Sequence, residues 1–478
     1  MFGFQSKNKA GALFTALFTA QLAALFAIAP AQPANPPGPA PAGQGPGGPG
    51  SAAGEGPGGD PLPELLAEAR RNNPSLKSAR LDAEVDREEG RGGTALRPPE
   101  AGVEFYHAPL ASFPNPVKDQ VEIDYFLQQS LPFPGKRGAA GRPALRRAEA
   151  AEARAKAMEI GIAREVKEAY LELYRLDALR RINGDNQGLV RRFVEIARKQ
   201  YELGLGGQGD ILRAHAELAS LSNDAVGLLE NRESALGRLN ALLDRAPDSS
   251  FTPPANLRPR SANLPFDRVL ALAQARHPAL AALDADVRVR EAEAAAAGKE
   301  YLPDLMVRGT YKDVREPPIH GGKAEDGWAV MVGMDMPFAF WSAPRYRAGY
   351  RTAGILAEKA RLERRAGSNR LAAEIRTAMA RMRAAAEMLD LARSAMLPHA
   401  DQALQSIQSS YTSGKASFMD LMDAYRMSIE AREDELAAVV KVVGSRADLE
   451  SAVGMDMDGI AQAIGGGGAP SGAQGGRP

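Results

Sequence analysis

Tyr201-Glu202-Leu203-Gly204, followed by Asp210-Ile211-Leu212-Arg213-Ala214, returns in the second half of the chain as Tyr411-Thr412-Ser413-Gly414, followed by Asp420-Leu421-Met422-Asp423-Ala424. Each copy reads as a helix end, a glycine turn and a new helix start with an aspartate in its first turn. Working outward, further landmarks recur in the same order. Asn73-Pro74-Ser75-Leu76 matches His277-Pro278-Ala279-Leu280, Leu131-Pro132-Phe133 matches Met336-Pro337-Phe338, and the run from Glu165 to Ala169 matches that from Glu374 to Ala378. The offsets stay between 204 and 210 residues, which marks a tandem duplication. Repeat unit 1 is assigned to residues 61–255 and unit 2 to residues 256–457.

Each unit has one plan: a helix of about 35 residues, two short alternating segments, a very long helix, a glycine turn and a second long helix. The long helix of unit 1 is expected from about Gly138 to Leu203, roughly 100 Å at ~1.5 Å per residue, with Gly184 and Gly188 marking a local loosening. In the helix after the turn, Ile211, Leu218, Ala225, Arg232 and Leu239 lie seven apart, as do Ala214, Leu221, Leu228, Ala235 and Leu242. A strict seven-residue period predicts a left-handed antiparallel coiled-coil seam. Ser428, Glu435 and Ser445 interrupt the matching seam of unit 2.

The alternating segments have a period of two. Trp328, Val330, Val332, Met334 and Met336 point one way, with Ala329, Met331, Gly333 and Asp335 opposite. Val121, Ile123, Tyr125 and Leu127 likewise oppose Glu122, Asp124, Phe126 and Gln128. With partners at 101–108 and 304–312 they form two hairpins, hence four strands. Half-exposed strands of a soluble sheet share this pattern, but export and the duplicated hairpins favour transmembrane β-strands. Four strands cannot close a barrel, and open edges in lipid leave backbone groups unpaired, so the chain must oligomerise. Three copies would give twelve strands. The expected fold class is therefore a mixed α/β membrane protein, four strands per chain in a trimeric barrel above a long coiled-coil helical barrel. Tyr106, Tyr125, Phe126, Phe133, Tyr311, Trp328, Phe338 and Trp341, near strand ends, are candidates for interfacial girdles.

Residues 1–31 read as a signal peptide: Lys7 and Lys9, an apolar run to Ala29, then Ala29-Pro30-Ala31 as a small-residue cleavage site. A membrane anchor is the alternative reading of that run. From Pro30 to Asp60, 19 of 31 residues are Gly or Pro, too little apolar surface to offset the ordering entropy, so 32–60 is expected to be a disordered linker. The Gly-rich tail, 458–478, reads the same way.

Composition removes several function classes. There are 59 Lys+Arg and 59 Asp+Glu, so no basic field for nucleic acid, and no cysteine for disulfide, thiolate or lipid anchor. The five histidines (His107, His215, His277, His320, His399) form no ligand pair and read as structural or solvated; Met331, Met334 and Met336 invite a soft-metal reading, but Met334 and Met336 share the parity of Trp328 and Val332 and read first as lipid-facing. Nothing pairs a nucleophile with a base. No enzyme, cofactor or resident metal is expected. A secreted or periplasmic coiled-coil scaffold is the rival reading; the alternating segments count against it.

The duplicated Asn/His-Pro entries, the strand exit Leu131-Pro132-Phe133-Pro134-Gly135-Lys136-Arg137 and the twin Tyr-x-x-Gly…Asp turns together resemble the TolC-like outer-membrane efflux family, from about Pro61 to Gly454. The Gly135-Lys136-Arg137 exit is most similar to the heavy-metal cation-efflux branch. The resemblance implies a homotrimeric exit duct in the outer membrane of a Gram-negative-type cell, its helical part in the periplasm. The implied partners are outer-membrane lipid, a periplasmic adaptor and an inner-membrane pump, by analogy of the resistance-nodulation-division type; metal cations, drugs or other small molecules would pass through. It further implies that Asp210 and Tyr411 hold the periplasmic tip closed. The arginine expected five residues after the tyrosine is Ala416, leaving Lys415 as a substitute partner for Asp210. Asp420 and Asp423, i and i+3 on one helix face, would form an acidic ring whose mutual repulsion raises some of its pKa values.

Overall fold

The computed structural model describes residues 60–106, 122–257, 264–314 and 325–465. Unit 1 comprises α1 (Leu62–Asn72), α2 (Pro74–Gly93), β1 (Glu100–Tyr106), β2 (Glu122–Leu131), α3 (Lys136–Glu202) and α4 (Gln208–Leu243). Unit 2 repeats the order as α5 (Phe266–Arg276), α6 (Pro278–Lys299), β3 (Leu305–Val314), β4 (Gly327–Met334), α7 (Ala343–Leu391), a π-helical segment (Ala392–Met396), α8 (Leu397–Thr412) and α9 (Phe418–Val453); α10 (Met457–Gly465) follows. The expected signal peptide, almost all of the linker and the last thirteen residues of the tail, along with His107 and His320, lie outside the described residues.

The opening helical stretch of each unit is two helices, broken at Asn73 and His277. A proline disfavours helical ψ in the residue before it; Asn73 (ψ 120°) and His277 (ψ 122°) both leave the helix there and cap the next one. Asn73 Oδ1 accepts from Leu76 N at 3.2 Å while its Nδ2 donates to the Leu242 carbonyl at 2.9 Å. His277 Nδ1 accepts from Ala279 N and its Nε2 lies 3.1 Å from the Ser451 carbonyl, which requires the neutral Nε2–H tautomer. In each unit one side chain thus caps a helix and pins the far end of the last long helix. The surrounding core repeats too: Leu76, Val166 and Leu239 in unit 1 stand where Leu280, Ile375 and Leu449 stand in unit 2, all buried.

The predicted loosening at Gly184 and Gly188 is absent, since α3 runs 67 residues without interruption. The irregularity falls in unit 2, at the π segment before Pro398. Proline has no N–H to return to the preceding turn, so the ladder there shifts register. The heptad seam holds: all ten seam residues of α4 are buried or half-buried, and Arg232 pairs with Asp177 at 2.6 Å. The polar interruptions of unit 2 are satisfied in place: Ser428 donates to Asp401, Ser445 to the Val442 carbonyl, and Arg393 to Glu435. The expected disordered tail starts too early, because Met457 and Ile460 of α10 are buried against α5 and α9, and the Met457 amide donates to Glu450.

The four strands form one antiparallel sheet in the order β1-β2-β3-β4, so the two predicted hairpins join through β2 and β3. Register puts Trp328, Val330, Val332 and Met334 on one face, all exposed, with Val103, Tyr125, Leu127, Val307 and Tyr311. The other face carries Glu100, Glu104, Glu122, Asp124, Arg308 and Lys312. Phe126 and Tyr106 belong to this charged face, which corrects their place among the girdle candidates: Phe126 lies 3.7 Å beneath the Arg308 guanidinium, and the Tyr106 hydroxyl donates to Glu104. Opposite Phe126 only Gly102 fits, because a Cβ there would come within 2.6 Å of the ring.

Candidate functional site

Two regions bring chemistry together: the paired turns at one end of the long helices and the charged sheet face. At the turns, Gly204 (φ 71°) and Gly414 (φ 74°) take the left-handed conformation that ends a helix. The amides of Leu205 and Lys415 both return 2.8 Å bonds, to the Gln200 and Ser410 carbonyls. The turns touch through Gln200, whose Nε2 donates to the Thr412 carbonyl at 2.8 Å. Gln200 is a connecting residue that the sequence reading missed; at its position in unit 2 stands Ser410, so the repeat carried no signal for it.

Asp210 and Asp420 occupy the same place, the third residue of a helix. Asp210 accepts from Gly207 N at 3.3 Å; Asp420 accepts from both the amide and the hydroxyl of Ser417 at 2.8 Å. Those two donors hold the Asp420 carboxyl below its ordinary range. This is opposite in sign to the rise expected from ring repulsion, because within the chain the cap is the dominant neighbour. Asp423, one turn along, is exposed.

Tyr411 is buried in a cluster with Phe193, Phe418, Leu421 and Tyr425, its ring edge-on to Phe418 at 5.7 Å. Burial, then the charge of Asp210, pushes its hydroxyl up to about 12. The expected pair is therefore brought together, but through charge: the Tyr411 hydroxyl has no hydrogen-bond partner among the described residues. Lys415, the expected substitute, has no such contact within the chain. It is exposed and makes no ion pair with Asp210 within the chain, its amide being committed to the turn.

On the sheet, Arg308 pairs with Glu104, and Lys312 with Glu122 and Asp124. Three carboxylates thus meet two basic groups, with Asp124 and Arg308 each keeping one buried polar atom unpaired among the described residues. At the strand exit, Lys136 is buried and donates to Asp304 (2.9 Å) and the Leu302 carbonyl, while Arg137 donates to the Thr94 carbonyl. The Gly135-Lys136-Arg137 motif therefore acts as a joint between the two units.

A sheet with one apolar and one charged exposed face, continued by two long helical hairpins, is the fold of outer-membrane channels. The outer-membrane channel OprN matches with TM-score 0.68 at 20% identity, over 82% of this chain and 89% of that one. CusC, whose structures concern folding and transmembrane channel formation, matches with TM-score 0.68 at 18% identity, over 82% and 92%. The outer membrane protein VceC of Vibrio cholerae matches with TM-score 0.66 at 20% identity, over 83% and 96%. No curated protein matches the chain by sequence. The family model described as outer membrane efflux protein matches residues 65–245 and 269–455, and the chain belongs to that family.

Proposed function

We propose that three copies of this chain close a twelve-stranded barrel in the outer membrane and form the exit duct of a tripartite efflux system. The observation that carries this reading is the sheet: β1 and β4 are open edges, and the face bearing Trp328, Val330, Val332 and Met334 is apolar and exposed. Unpaired edges in lipid cost several kcal/mol per group, and closure by identical neighbours removes them. Trp328 to Met334 covers roughly 20 Å at ~3.4 Å per residue, near the ~25 Å apolar band of such barrels. Tyr125, Tyr311 and Trp328 line one margin; Phe133, Phe338 and Trp341 lie beyond the other.

In this reading the charged face lines the lumen and the paired turns form the periplasmic tip. Asp210 and Tyr411 hold the resting tip through their adjacency, with Lys415 as the substitute for the missing arginine once neighbouring copies assemble. Three Asp423 carboxylates, with Asp420 behind them at the helix starts, give the mouth a preference for cations. Transport is passive; a periplasmic adaptor and an inner-membrane pump of the resistance-nodulation-division type supply substrate and energy. The cargo in this reading is metal cations, drugs or other small molecules. Mass measurement after extraction in mild detergent should give three subunits, and carbonate washing should leave the protein in the membrane fraction. A well-behaved monomer that washes off would overturn the reading and favour the coiled-coil scaffold.

A further inference from the structure

The two strand exits are copies that end differently. In unit 1, Lys136 is buried against Asp304 and Arg137 donates to the Thr94 carbonyl, so both cations after Phe133 are engaged inside the chain. In unit 2, residues 336–357 lead from the end of β4 into the first turns of α7 and hold five aromatic residues, three arginines and no acidic residue. Phe340 and Trp341 are 84% and 72% exposed and pack only edge to face on each other, with exposed Phe338 beside them. Arg345, Arg347 and Arg351 are exposed and make no ion pair among the described residues.

Neither group serves the chain that carries it. Contiguous exposed rings mark a surface that something else covers. Arginines in the first turns of a helix lie at the positive end of its dipole, where cations are disfavoured, and α7 has no acidic residue in its first turn to offset them.

Their order along the chain selects the occupant. The exposed apolar strip of Trp328, Val330, Val332 and Met334 comes first, the aromatic cluster next and the arginines last. That is the order met on leaving hydrocarbon through the interface to the lipid phosphates. Arg345 to Arg351 span roughly 9 Å at ~1.5 Å per residue, comparable with a headgroup layer of ~5–8 Å. Guanidinium groups bind phosphate in a bidentate manner, and the segment offers no carboxylate to the ammonium of a zwitterionic headgroup. We propose that this collar binds anionic phospholipids of the leaflet on the helical side of the barrel, with Phe338, Phe340 and Trp341 among the upper acyl chains and Arg345, Arg347 and Arg351 on the phosphates. The inference rests on the membrane reading of the sheet and adds to it a lipid class and the residues that select it.

The test is reconstitution of the full-length protein into vesicles of phosphatidylcholine alone and of phosphatidylcholine with an equal amount of phosphatidylglycerol. Lipid retained after mild-detergent extraction is then identified by native mass measurement. Phosphatidylglycerol should be enriched about fivefold over phosphatidylcholine. Arg345→Gln with Arg347→Gln and Arg351→Gln should bring the ratio close to one while insertion persists. A control that removes the same charge at the far end of the helices, Arg192→Gln with Lys199→Gln and Arg213→Gln, should leave the enrichment unchanged. Equal retention of the two lipids by the wild type, enrichment that survives in the collar variant, or equal loss in the control would each overturn this inference alone. Failure to enter either kind of vesicle would overturn the membrane reading, and this inference with it.

Discussion

The two turns share a backbone and differ in what covers them. Both have a left-handed glycine, the same returning amide bond and an aspartate three residues into the following helix. Yet Tyr411 is 5% exposed and its counterpart Tyr201 is 50% exposed; Met422 is 4% exposed and its counterpart Leu212 is 61%. The position of Phe418, buried in unit 2, is held in unit 1 by exposed Gln208. Duplication copied the turn chemistry, and divergence then packed one copy into the chain's own core while turning the apolar side of the other outward. Leu203, Leu205 and Leu212 are the face that a neighbouring copy would cover in the proposed trimer.

The largest expected difference is in stability. Tyr411→Ala or Phe418→Ala should each cost about 3–5 kcal/mol by urea unfolding of the helical signal, as for other buried aromatics. Tyr201→Ala should cost within about 1 kcal/mol. Equal costs would break the comparison, and a large cost at Tyr201 seen only in the trimer would place the neighbour on it.

Tyr411→Phe separates packing from latch. The hydroxyl is buried and unpaired, which ordinarily costs ~1–3 kcal/mol, so its removal should leave stability unchanged or raise it. Resting single-channel conductance should then also be unchanged; a rise would show that assembly gives the hydroxyl a partner and that the latch is a bond.

The helix starts differ less, and by pH. Ser417→Ala should cost about 1 kcal/mol, since Gly207 shows what the turn is without that hydroxyl. Because the Asp420 carboxyl is held below its ordinary value of 3.8, its contribution is present above that value and is lost as pH falls through the lower folded one. Hydrogen exchange near residue 420 should therefore be faster in Asp420→Ala than in the wild type at neutral pH, and the two should converge near pH 2. Asp210→Ala should show a smaller difference, its single cap bond being longer.

The smallest effects concern the long helices. A Cβ at Gly184 or Gly188 meets nothing within 4 Å, so Gly→Ala at either should raise the unfolding free energy read from urea titration by about 0.5–1 kcal/mol. Loss of stability there would mean that a neighbouring chain occupies the space. Pro398→Ala should change little in overall stability while removing the π segment, visible as slower exchange across Ala392–Met396.

Periodicity and repetition are properties of the chain written along its length, and they were legible without coordinates. The duplication, the seam of α4, the parity of Trp328 through Met334 and the twin glycine turns each rest on spacing, and spacing survives into the structure because backbone geometry has a fixed period. What spacing does not encode is which neighbour fills a given position. Gln200 bridging the turns, Lys136 joining the strand exit to Asp304, Phe126 beneath Arg308 and the burial of Tyr411 beside an exposed Tyr201 all depend on residues more than 20 positions away. Sequence alone determined the elements, their order and the charge of each sheet face, since these follow from propensity and parity. Only the tertiary structure decided which of two identical turns is buried and which aspartate is held by its cap, because those outcomes belong to contacts between distant segments.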